Sequence, residues 1–535
     1  MSAAAPVAPA AAAPAPVILG HGITAIPYLL STGETMVRIQ GETRNMRSPV
    51  HFLAILDLSG SMAVNDKLDD VIRSLCFMLD LMTPEDRISL ITFSSEVQVR
   101  FKQIALTSEN KEAVRFALNR LIANGGTNLS SGIMTARECL YTSIDATIIS
   151  RMKQGILVLT DGHANVGVQD PPSINRLVTA LLADYPGLTL TTVGYGTDHN
   201  AELLTQIAAE GSGSYNVVNN LEDVATVFGD VLGGLQTCLA QEVKLIIPDT
   251  ATQITPFPGG SQIVLGDLQA GGEHIVLLKD LAVDAPLTLK AYETETGRPI
   301  VISLPIRTIS SDGVLPEGEY IGQITLMRIR VVNFLKRLKE TLTRRSSADR
   351  DSLQTELRTL RAALTAFRPA VTDEPNPLLA LLIDELDAAE IYLTAPTHSP
   401  ALHEMTSVLT QHTSHLGACR GVRATHSTLA SVSSPLGIHT GTGAGAGASA
   451  GAGVSGGATE PAHFSPSNIF ATPTQSERSA VLRATSSAAS ATPSYSVHAP
   501  PPLRTPRLAR GHTMDPSLVV SESNEGNEGN ESVVG

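Results

Sequence analysis

The sequence predicts an α/β protein: a doubly wound, mostly parallel sheet, then a small antiparallel β-sandwich, a helical bundle and a disordered C-terminal tail. Three observations predict this fold class. Between residues 48 and 238, apolar runs alternate with amphipathic segments, as strands and helices do along an open sheet. Residues 240–307 contain closely spaced strand-like runs separated by Gly, Pro and Asp turns. Residues 318–395 carry apolar side chains at helical spacing, which predicts three amphipathic helices.

The α/β region begins with HFLAILDLSGSM, in which a buried strand ends at Asp57. QGILVLTDG is another continuous apolar run, typical of a parallel strand covered on both faces. In the intervening segment that starts at Lys67, four apolar side chains share one helix face: Leu68, Ile72, Leu75 and Leu79. Open sheets of this kind bind ligands outside the carboxyl ends of their strands, where the strand order reverses. We therefore expect the functional site at that edge.

Residues 17–47 contain short runs with strand character but are too short to form a stable sheet alone. Their backbone groups need hydrogen-bonding partners, and the sandwich that begins at Glu242 can provide them. We therefore expect the domain at 48–238 to be an insertion, with residues 17–47 completing the sandwich of 240–307. The alternative is that residues 17–47 cover the α/β domain as a loose arm.

The remaining segments are classified by composition. The Ala/Pro-rich residues 1–16 predict a disordered leader, and the Gly/Ala-rich and Ser/Thr/Pro-rich residues 425–535 predict a disordered tail. The first helix of the predicted bundle is basic, which indicates a solvated face, with an acidic partner or an anionic lipid surface as the alternative. Its basic residues are Arg328, Arg330, Lys336, Arg337, Lys339, Arg344 and Arg345.

Charge and cysteine usage exclude some classes of function. The net charge of −14 argues against a general nucleic-acid binder, which needs a basic face. The four cysteines form no C-x-x-C pair, so we expect free thiols and a cytoplasmic location, with secretion as the alternative. They are Cys76, Cys139, Cys238 and Cys419. No uninterrupted apolar run reaches about 18 residues, so we expect no transmembrane helix.

Oxygen-bearing side chains occur where a metal site is expected. Asp57, Ser59 and Ser61 follow the first sheet strand as D-L-S-G-S, Thr127 lies in G-G-T-N between two helices, and Asp161 ends the strand of T-D-G. Mg²⁺ prefers such oxygen ligands in near-octahedral geometry and keeps several waters. The two-residue spacing of the first three lets a turning loop direct them the same way.

Glycines around these residues favour close packing of the loops. We expect Gly60 to allow a tight turn, and Gly125 and Gly126 to let the Thr127 loop approach. Each motif alone is more often a turn, a helix cap or a loop, but their joint occurrence in one α/β domain favours a metal site. We interpret His163, close to Asp161, as a loop residue because no further His or Cys ligands can be assigned to zinc.

The motifs D-L-S-G-S-M, G-G-T-N and T-D-G resemble the metal-ion-dependent adhesion site of von Willebrand factor A domains, including every ligand position. The resemblance implies that Ser59, Ser61 and Thr127 bind the metal through hydroxyls, and that Asp57 and Asp161 act directly or through water. It implies Mg²⁺, with Mn²⁺ or Ca²⁺ as alternatives. One coordination position would remain open for a Glu or Asp side chain of a protein partner.

The expected function is that of a non-enzymatic, metal-dependent protein-binding scaffold with no catalytic residues. The domain order also resembles intracellular relatives, including plant ubiquitin-ligase-type proteins, so a regulatory or substrate-binding subunit of such an assembly is one alternative. The sequence has no Cys/His cluster of the RING type, so ligase activity itself is not supported. A metal-dependent phosphohydrolase is the other alternative, but such sites group several carboxylates with a base or nucleophile. The partner, the pathway and the oligomeric state are not specified by the sequence.

Overall fold

A computed structural model describes most of the chain up to residue 417, together with six positions further on. The described residues are 17–19, 22–140, 152–196, 198–255, 260–282, 285–304, 316–344, 349–367, 376–394, 402–417, 475, 478, 480–482 and 484. The predicted leader at 1–16, Cys419 and most of the predicted tail lie outside these residues.

The central sheet has six strands, of which all but one run parallel. They are β4 (Val50–Asp57), β5 (Arg87–Phe93), β6 (Val97–Ala105), β7 (Lys153–Thr160), β8 (Thr189–Tyr195) and β9 (Ser212–Val218). Their spatial order is β6-β5-β4-β7-β8-β9, and only β6 is antiparallel to its neighbour. The strand order reverses at β4, so the carboxyl ends of β4, β5 and β7 meet at the switch point of the sheet.

Six helices of the described residues cover the two faces of this sheet. They are α1 (Lys67–Leu81), α2 (Ser108–Leu118), α3 (Leu129–Leu140), α4 (Pro171–Asp184), α5 (Ala201–Glu210) and α6 (Leu221–Gln236). One apolar core involves α1, α2 and α6, and the other involves α3, α4 and α5. Residues that favour helix starts set the boundaries: the side chains of Thr107, Asp170, Asn200 and Asn220 each accept a backbone N–H of the first turn. The structure confirms the predicted fold class.

Two antiparallel sheets form the sandwich. Its strands are β1 (Val17–Leu19), β2 (Ile23–Leu29), β3 (Thr35–Gly41), β10 (Cys238–Ile246), β11 (Thr252–Ile254), β12 (Gln262–Gln269), β13 (Glu273–Lys279), β14 (Leu287–Glu293) and β15 (Pro299–Leu304). The orders are β1-β2-β3-β13-β11 and β12-β10-β14-β15, with an aliphatic core between the sheets. Because β3 pairs with β13 from Gln40 opposite Glu273 to Thr35 opposite Leu278, the α/β domain is flanked in sequence by strands of one sheet. The short strand β11 is not predicted from the sequence.

Four described helices follow the sandwich, one more than the sequence predicts. They are α7 (Pro316–Arg344), α8 (Arg350–Ala366), α9 (Pro377–Thr394) and α10 (Leu402–Gly417), and they share one leucine-rich core. Helix α7 also packs on the first sheet of the sandwich through Ile329 against Tyr28 and Leu30. The predicted solvated basic face of α7 is wrong at Arg328, which is buried.

The unpredicted helix α10 covers the edge of the central sheet. The side-chain oxygen of Gln411 accepts the N–H of Val217 at 3.2 Å, and His415 Nε2 donates to the carbonyl of Tyr215 at 2.6 Å. Two side chains one helical turn apart thus satisfy alternate backbone groups of β9, which would otherwise be unpaired at the sheet edge.

A short piece of the C-terminal region also packs on the α/β domain. The six described positions between 475 and 484 are helical, and Leu482 is buried in the core formed with α1 and α6. The prediction of a disordered tail is therefore wrong at these positions, although the composition around them is rich in Ser, Thr and Ala.

An enclosed ion pair joins the α/β domain to the sandwich. Lys153, the first residue of β7, lies 2.7 Å from the carboxylate of Asp267 on β12, and neither side chain is exposed beyond 8%. Thr189 donates a hydrogen bond to the same carboxylate oxygen at 2.7 Å, and Lys153 also donates to the carbonyl of Gly187. These contacts lie at the amino ends of the parallel strands.

Candidate metal site

Asp57 is the last residue of β4 and lies fully buried at the switch point. One carboxylate oxygen accepts the N–H of Ser59 at 2.7 Å, and the other accepts the hydroxyl of Thr160 at 2.6 Å. Burial raises the pKa of Asp57 to about 6, and the charge of Asp161 adds to this, whereas the hydrogen bonds from Thr160 and Ser59 lower it. Asp57 thus fixes the first turn after β4 and supplies negative charge beneath it.

Ser59, Ser61 and Asp161 form a connected row above Asp57. The hydroxyl oxygens of Ser59 and Ser61 lie 3.1 Å apart, and Ser61 donates to Oδ1 of Asp161 at 2.7 Å. Ser59 and Asp161 are buried, while Ser61, in the 3-10 turn Gly60–Ala63, is exposed. The row therefore has one side open to an incoming ligand.

Three loops hold Thr127 beside this row. The N–H of Thr127 donates to the side chain of Asn165 at 2.8 Å, and its carbonyl accepts the N–H of Asn165 at 3.1 Å. A Cβ placed on Gly162 would lie 3.8 Å from the Thr127 hydroxyl oxygen and 3.9 Å from that of Ser61. Both hydroxyls therefore border one small space that Gly162 leaves open.

Of the glycines expected to shape the site, two do so and one does not. Gly125 has φ of +80°, and a side chain there would lie 2.9 Å from the Ser95 hydroxyl. A Cβ on Gly126 would lie 2.7 Å from Val166. Gly60, in contrast, has no positive φ, and its Cβ would meet only the Gly125 carbonyl at 3.7 Å. The expectation that Gly60 is needed for a tight turn is therefore wrong.

Two separations between donor atoms match those expected around a small divalent cation. Neighbouring ligands of an octahedral Mg²⁺, bound at about 2.0–2.1 Å, lie about 2.9 Å apart. The Ser59–Ser61 and Ser61–Asp161 oxygen separations, 3.1 and 2.7 Å, bracket this value. Ser59, Ser61 and Thr127 would hold the ion through hydroxyl oxygens, and Asp57 and Asp161 would supply carboxylate oxygens directly or through water.

Lys67, the first residue of α1, also lies at the site, although none of the sequence motifs indicates it. Its ammonium lies 2.7 Å from Oδ2 of Asp161, the oxygen that Ser61 does not use, and 5.9 Å from the centroid of the Tyr195 ring. Lys67 and Asp161 are 94 positions apart in the chain, so no local pattern indicates the pair. The ammonium neutralises one of the two carboxylates at the site.

His163 is exposed, in agreement with its interpretation as a loop residue. Among the described residues, no three His, Cys, Asp or Glu side chains are grouped closely enough to hold a metal ion. The candidate site instead combines two carboxylates with three hydroxyls. In the part of the chain that the structure describes, no helix has the length and apolar character needed to cross a membrane.

The six-stranded sheet and its strand-end loops define a class of domain. Residues 53–230 match the family model of the von Willebrand factor type A domain. The chain therefore contains a von Willebrand factor A domain, which confirms the domain class that its motifs predict. Domains of this class often bind a divalent metal at the adhesion site, and the class indicates a role in protein interaction or adhesion.

Two relatives are similar to part of the chain. The protein YfbK of Escherichia coli K12 is 26% identical over 245 residues, which is 43% of this chain and 41% of the relative. Inter-alpha-trypsin inhibitor heavy chain H4 of Homo sapiens is 25% identical over 334 residues, 60% of this chain and 34% of the relative. The chain thus spans less than half the length of either relative. The solved structure of von Willebrand factor type A from Catenulispora acidiphila has the same fold, with a TM-score of 0.53 at 15% identity, covering 73% of this chain and 93% of that chain.

Proposed function

We propose that the protein is a non-enzymatic scaffold that binds a partner protein through a divalent cation. The cation, Mg²⁺ in the first place and Mn²⁺ or Ca²⁺ as alternatives, would be held by Asp57, Ser59, Ser61, Thr127 and Asp161. The observation that carries this proposal is the row of Ser59, Ser61 and Asp161 oxygens, spaced 2.7–3.1 Å apart and open at Ser61.

The charge of the site supports an acidic partner group. Asp57 and Asp161 contribute two negative charges and Lys67 one positive charge, so the protein side carries a net charge of −1. A divalent ion turns this into +1, because the remaining donors are neutral hydroxyls. Such a centre attracts a carboxylate at its open position, and a partner Glu or Asp side chain would provide it.

The hydrogen bonds of the two carboxylates favour binding over catalysis. The carboxylate of Asp57 accepts hydrogen bonds from Ser59 and Thr160. That of Asp161 accepts hydrogen bonds from Ser61 and Lys67. Both carboxylates therefore position neighbouring groups. A phosphohydrolase would need a nucleophile and a base directed at a common point. The alternative function is that of a regulatory or substrate-binding subunit in a ubiquitin-ligase-type assembly. Such a subunit needs no catalytic group.

We place the protein in a reducing compartment, and the cytoplasm is our first choice. Cys76, Cys139 and Cys238 are free thiols, and the latter two are buried. Secretion remains the alternative.

Metal-dependent capture of the partner tests the function. The full chain would be immobilised and used to capture proteins from a lysate of its own cells, with Mg²⁺ or with EDTA. Thr127→Ala removes one hydroxyl donor from the site. Thr179→Ala, the matched control, removes an exposed hydroxyl on α4 that donates to the Asn175 carbonyl of the same helix at 3.0 Å.

We expect one set of partners to be retained by the wild type and by Thr179→Ala with Mg²⁺, and lost with EDTA and with Thr127→Ala. Capture that is equal in all four conditions would show that the partner does not use the metal. Hydrolysis of a phosphoester that is lost in Thr127→Ala would support the phosphohydrolase instead.

A further inference from the structure

Helix α6 is buried on more sides than a sheet alone can cover. Eleven of its sixteen residues are buried, including the consecutive run from Val224 to Gly229. A helix that packs one face on a sheet leaves the opposite face exposed, whereas one that is apolar all round requires cover on both. Something other than the central sheet must therefore lie on the outer side of α6.

The outer side of α6 carries two adjacent glycines with one neighbour in common. A Cβ on Gly233 would lie 2.9 Å from the Cα of Gln475, and a Cβ on Gly234 would lie 2.8 Å from the Gln475 side-chain nitrogen. That nitrogen donates to the carbonyl of Asp230 at 3.1 Å. Glycine inside a helix costs about 1 kcal/mol relative to alanine, and close approach of another backbone accounts for its use here.

The pattern of burial in the C-terminal positions is that of a docked helix. Gln475 and Leu482 are buried and Arg478 is partly buried, whereas Ala480, Val481 and Ala484 are exposed. Gln475, Arg478 and Leu482 are spaced i, i+3 and i+7, so they share one helix face. Leu482 is 1% exposed and joins the core that α6 forms with α1.

We propose that residues 475–484 are an intramolecular ligand of α6. Gln475 fills the notch left by Gly233 and Gly234, and Leu482, on the same face, enters the core that α6 forms with α1. It therefore ties the C-terminal region of the chain to the von Willebrand factor A domain. The contact is small, but its two partners belong to one chain, so an effective concentration on the order of millimolar keeps even a weak contact closed.

Protection from trypsin tests the docking in the full chain, since Arg478 and Arg483 are cleavage sites within the segment. Three variants test the two sides of the contact between the segment and α6. Leu482→Asp places a charge on the docked face, and Val481→Asp places the same charge one residue away, on a side chain that is 44% exposed. Gly233→Ala fills the notch from the α6 side while raising the intrinsic helix propensity of α6, so it releases the segment without weakening α6.

We expect cleavage in the wild type and in Val481→Asp to be about tenfold slower than in a free synthetic peptide of residues 468–490, because cleavage requires undocking. Leu482→Asp and Gly233→Ala should approach the rate of the peptide. The proposal is overturned by wild-type cleavage as fast as that of the peptide. Equal rates in Leu482→Asp and Val481→Asp, or full protection in Gly233→Ala, would overturn it as well.

Discussion

Two lysine–aspartate pairs lie at opposite ends of the central sheet, with the same Nζ–Oδ2 distance of 2.7 Å. At the amino end, Lys153 is fully enclosed, and its partner Asp267 also accepts a hydrogen bond from Thr189. At the carboxyl end, the side chain of Lys67 is 16% exposed, and its partner Asp161 shares its other oxygen with the exposed Ser61.

Two ion pairs of the same type thus have different roles. The enclosed pair joins two domains, and its charges are satisfied within the protein. The pair at the carboxyl end adjoins a row of hydroxyls with an open side, so a cation can still reach the carboxylate. Changes at the amino end should therefore alter stability, and changes at the carboxyl end should mainly alter metal binding.

The largest effect is expected for Lys153→Met. It leaves the Asp267 carboxylate buried without its counter-charge, which typically destabilises a protein by about 3–5 kcal/mol. Urea unfolding of the full chain would measure this loss. The double variant Lys153→Met/Asp267→Asn should recover part of it, because it removes the uncompensated charge. A loss below about 1 kcal/mol would show that the junction does not depend on the pair.

His51, near the amino end of β4, should make the free energy of unfolding depend on pH. Burial lowers the pKa of His51 to about 4, and the Arg87 charge lowers it further, while the hydrogen bond with Gln154 raises it. The unfolded chain therefore binds this proton first as the pH falls below about 6.5. The stability contributed by neutral His51 is complete above pH 6.5 and is lost as the pH falls towards 4, by on the order of 3 kcal/mol.

His51→Gln tests this expectation. Its free energy of unfolding should fall less steeply between pH 6.5 and 4 than that of the wild type, whatever its stability at pH 7. Parallel curves for the two proteins would mean that His51 is protonated to the same extent when folded and unfolded.

At the carboxyl end, Lys67→Met should tighten Mg²⁺ binding by about tenfold, because it removes a positive charge beside a carboxylate of the site. The accompanying loss of metal-free stability should be smaller than that of Lys153→Met, because Lys67 is partly exposed and Ser61 still donates a hydrogen bond to Asp161. Lys67→Arg keeps the charge and should leave the affinity close to that of the wild type. Weaker Mg²⁺ binding in Lys67→Met would instead show that Lys67 is needed to orient Asp161.

The smallest effects on stability are expected for alanine substitutions at two glycines of the site. Gly125→Ala should destabilise the domain by about 1 kcal/mol, because its backbone has a positive φ. Gly60→Ala should change stability by less than about 0.5 kcal/mol, since its Cβ has room. Thermal unfolding of both variants would show the difference, and equal losses would contradict the assigned backbone roles.

Sequence periodicity predicted the central sheet because its strands are short, apolar and separated by amphipathic helices. It also placed the motif residues at strand ends, and the structure brings Ser59, Ser61 and Asp161 into hydrogen-bonded contact. Their role as metal ligands is still a prediction. The Lys67–Asp161 pair and the hydrogen bond from Thr160 to Asp57 could not be found in this way, because the partners are distant in the chain.

The helices that were missed carry few large apolar residues. Helix α10 has the sequence LHEMTSVLTQHTSHLG, places Leu409 and Leu416 in the leucine-rich core, and meets β9 through hydrogen bonds of Gln411 and His415. The segment at 475–484 offers only one large apolar residue, Leu482, to the core, and it lies in a stretch whose composition is that of a linker. In both cases tertiary contacts determine the structure, and the local sequence gives little signal.

Calorimetric titration of the full chain with Mg²⁺ tests the central claim most directly. Asp57→Ala is a poor probe because Asp57 is fully buried and holds Ser59 and Thr160. Ser61→Ala and Thr127→Ala remove single hydroxyls, and Thr179→Ala is again the control. We expect one Mg²⁺ per chain in the wild type and in Thr179→Ala, with affinity at least about tenfold weaker in Ser61→Ala and in Thr127→Ala. Equal Mg²⁺ affinity in all four proteins, or no binding in the wild type, would contradict the assignment of the site.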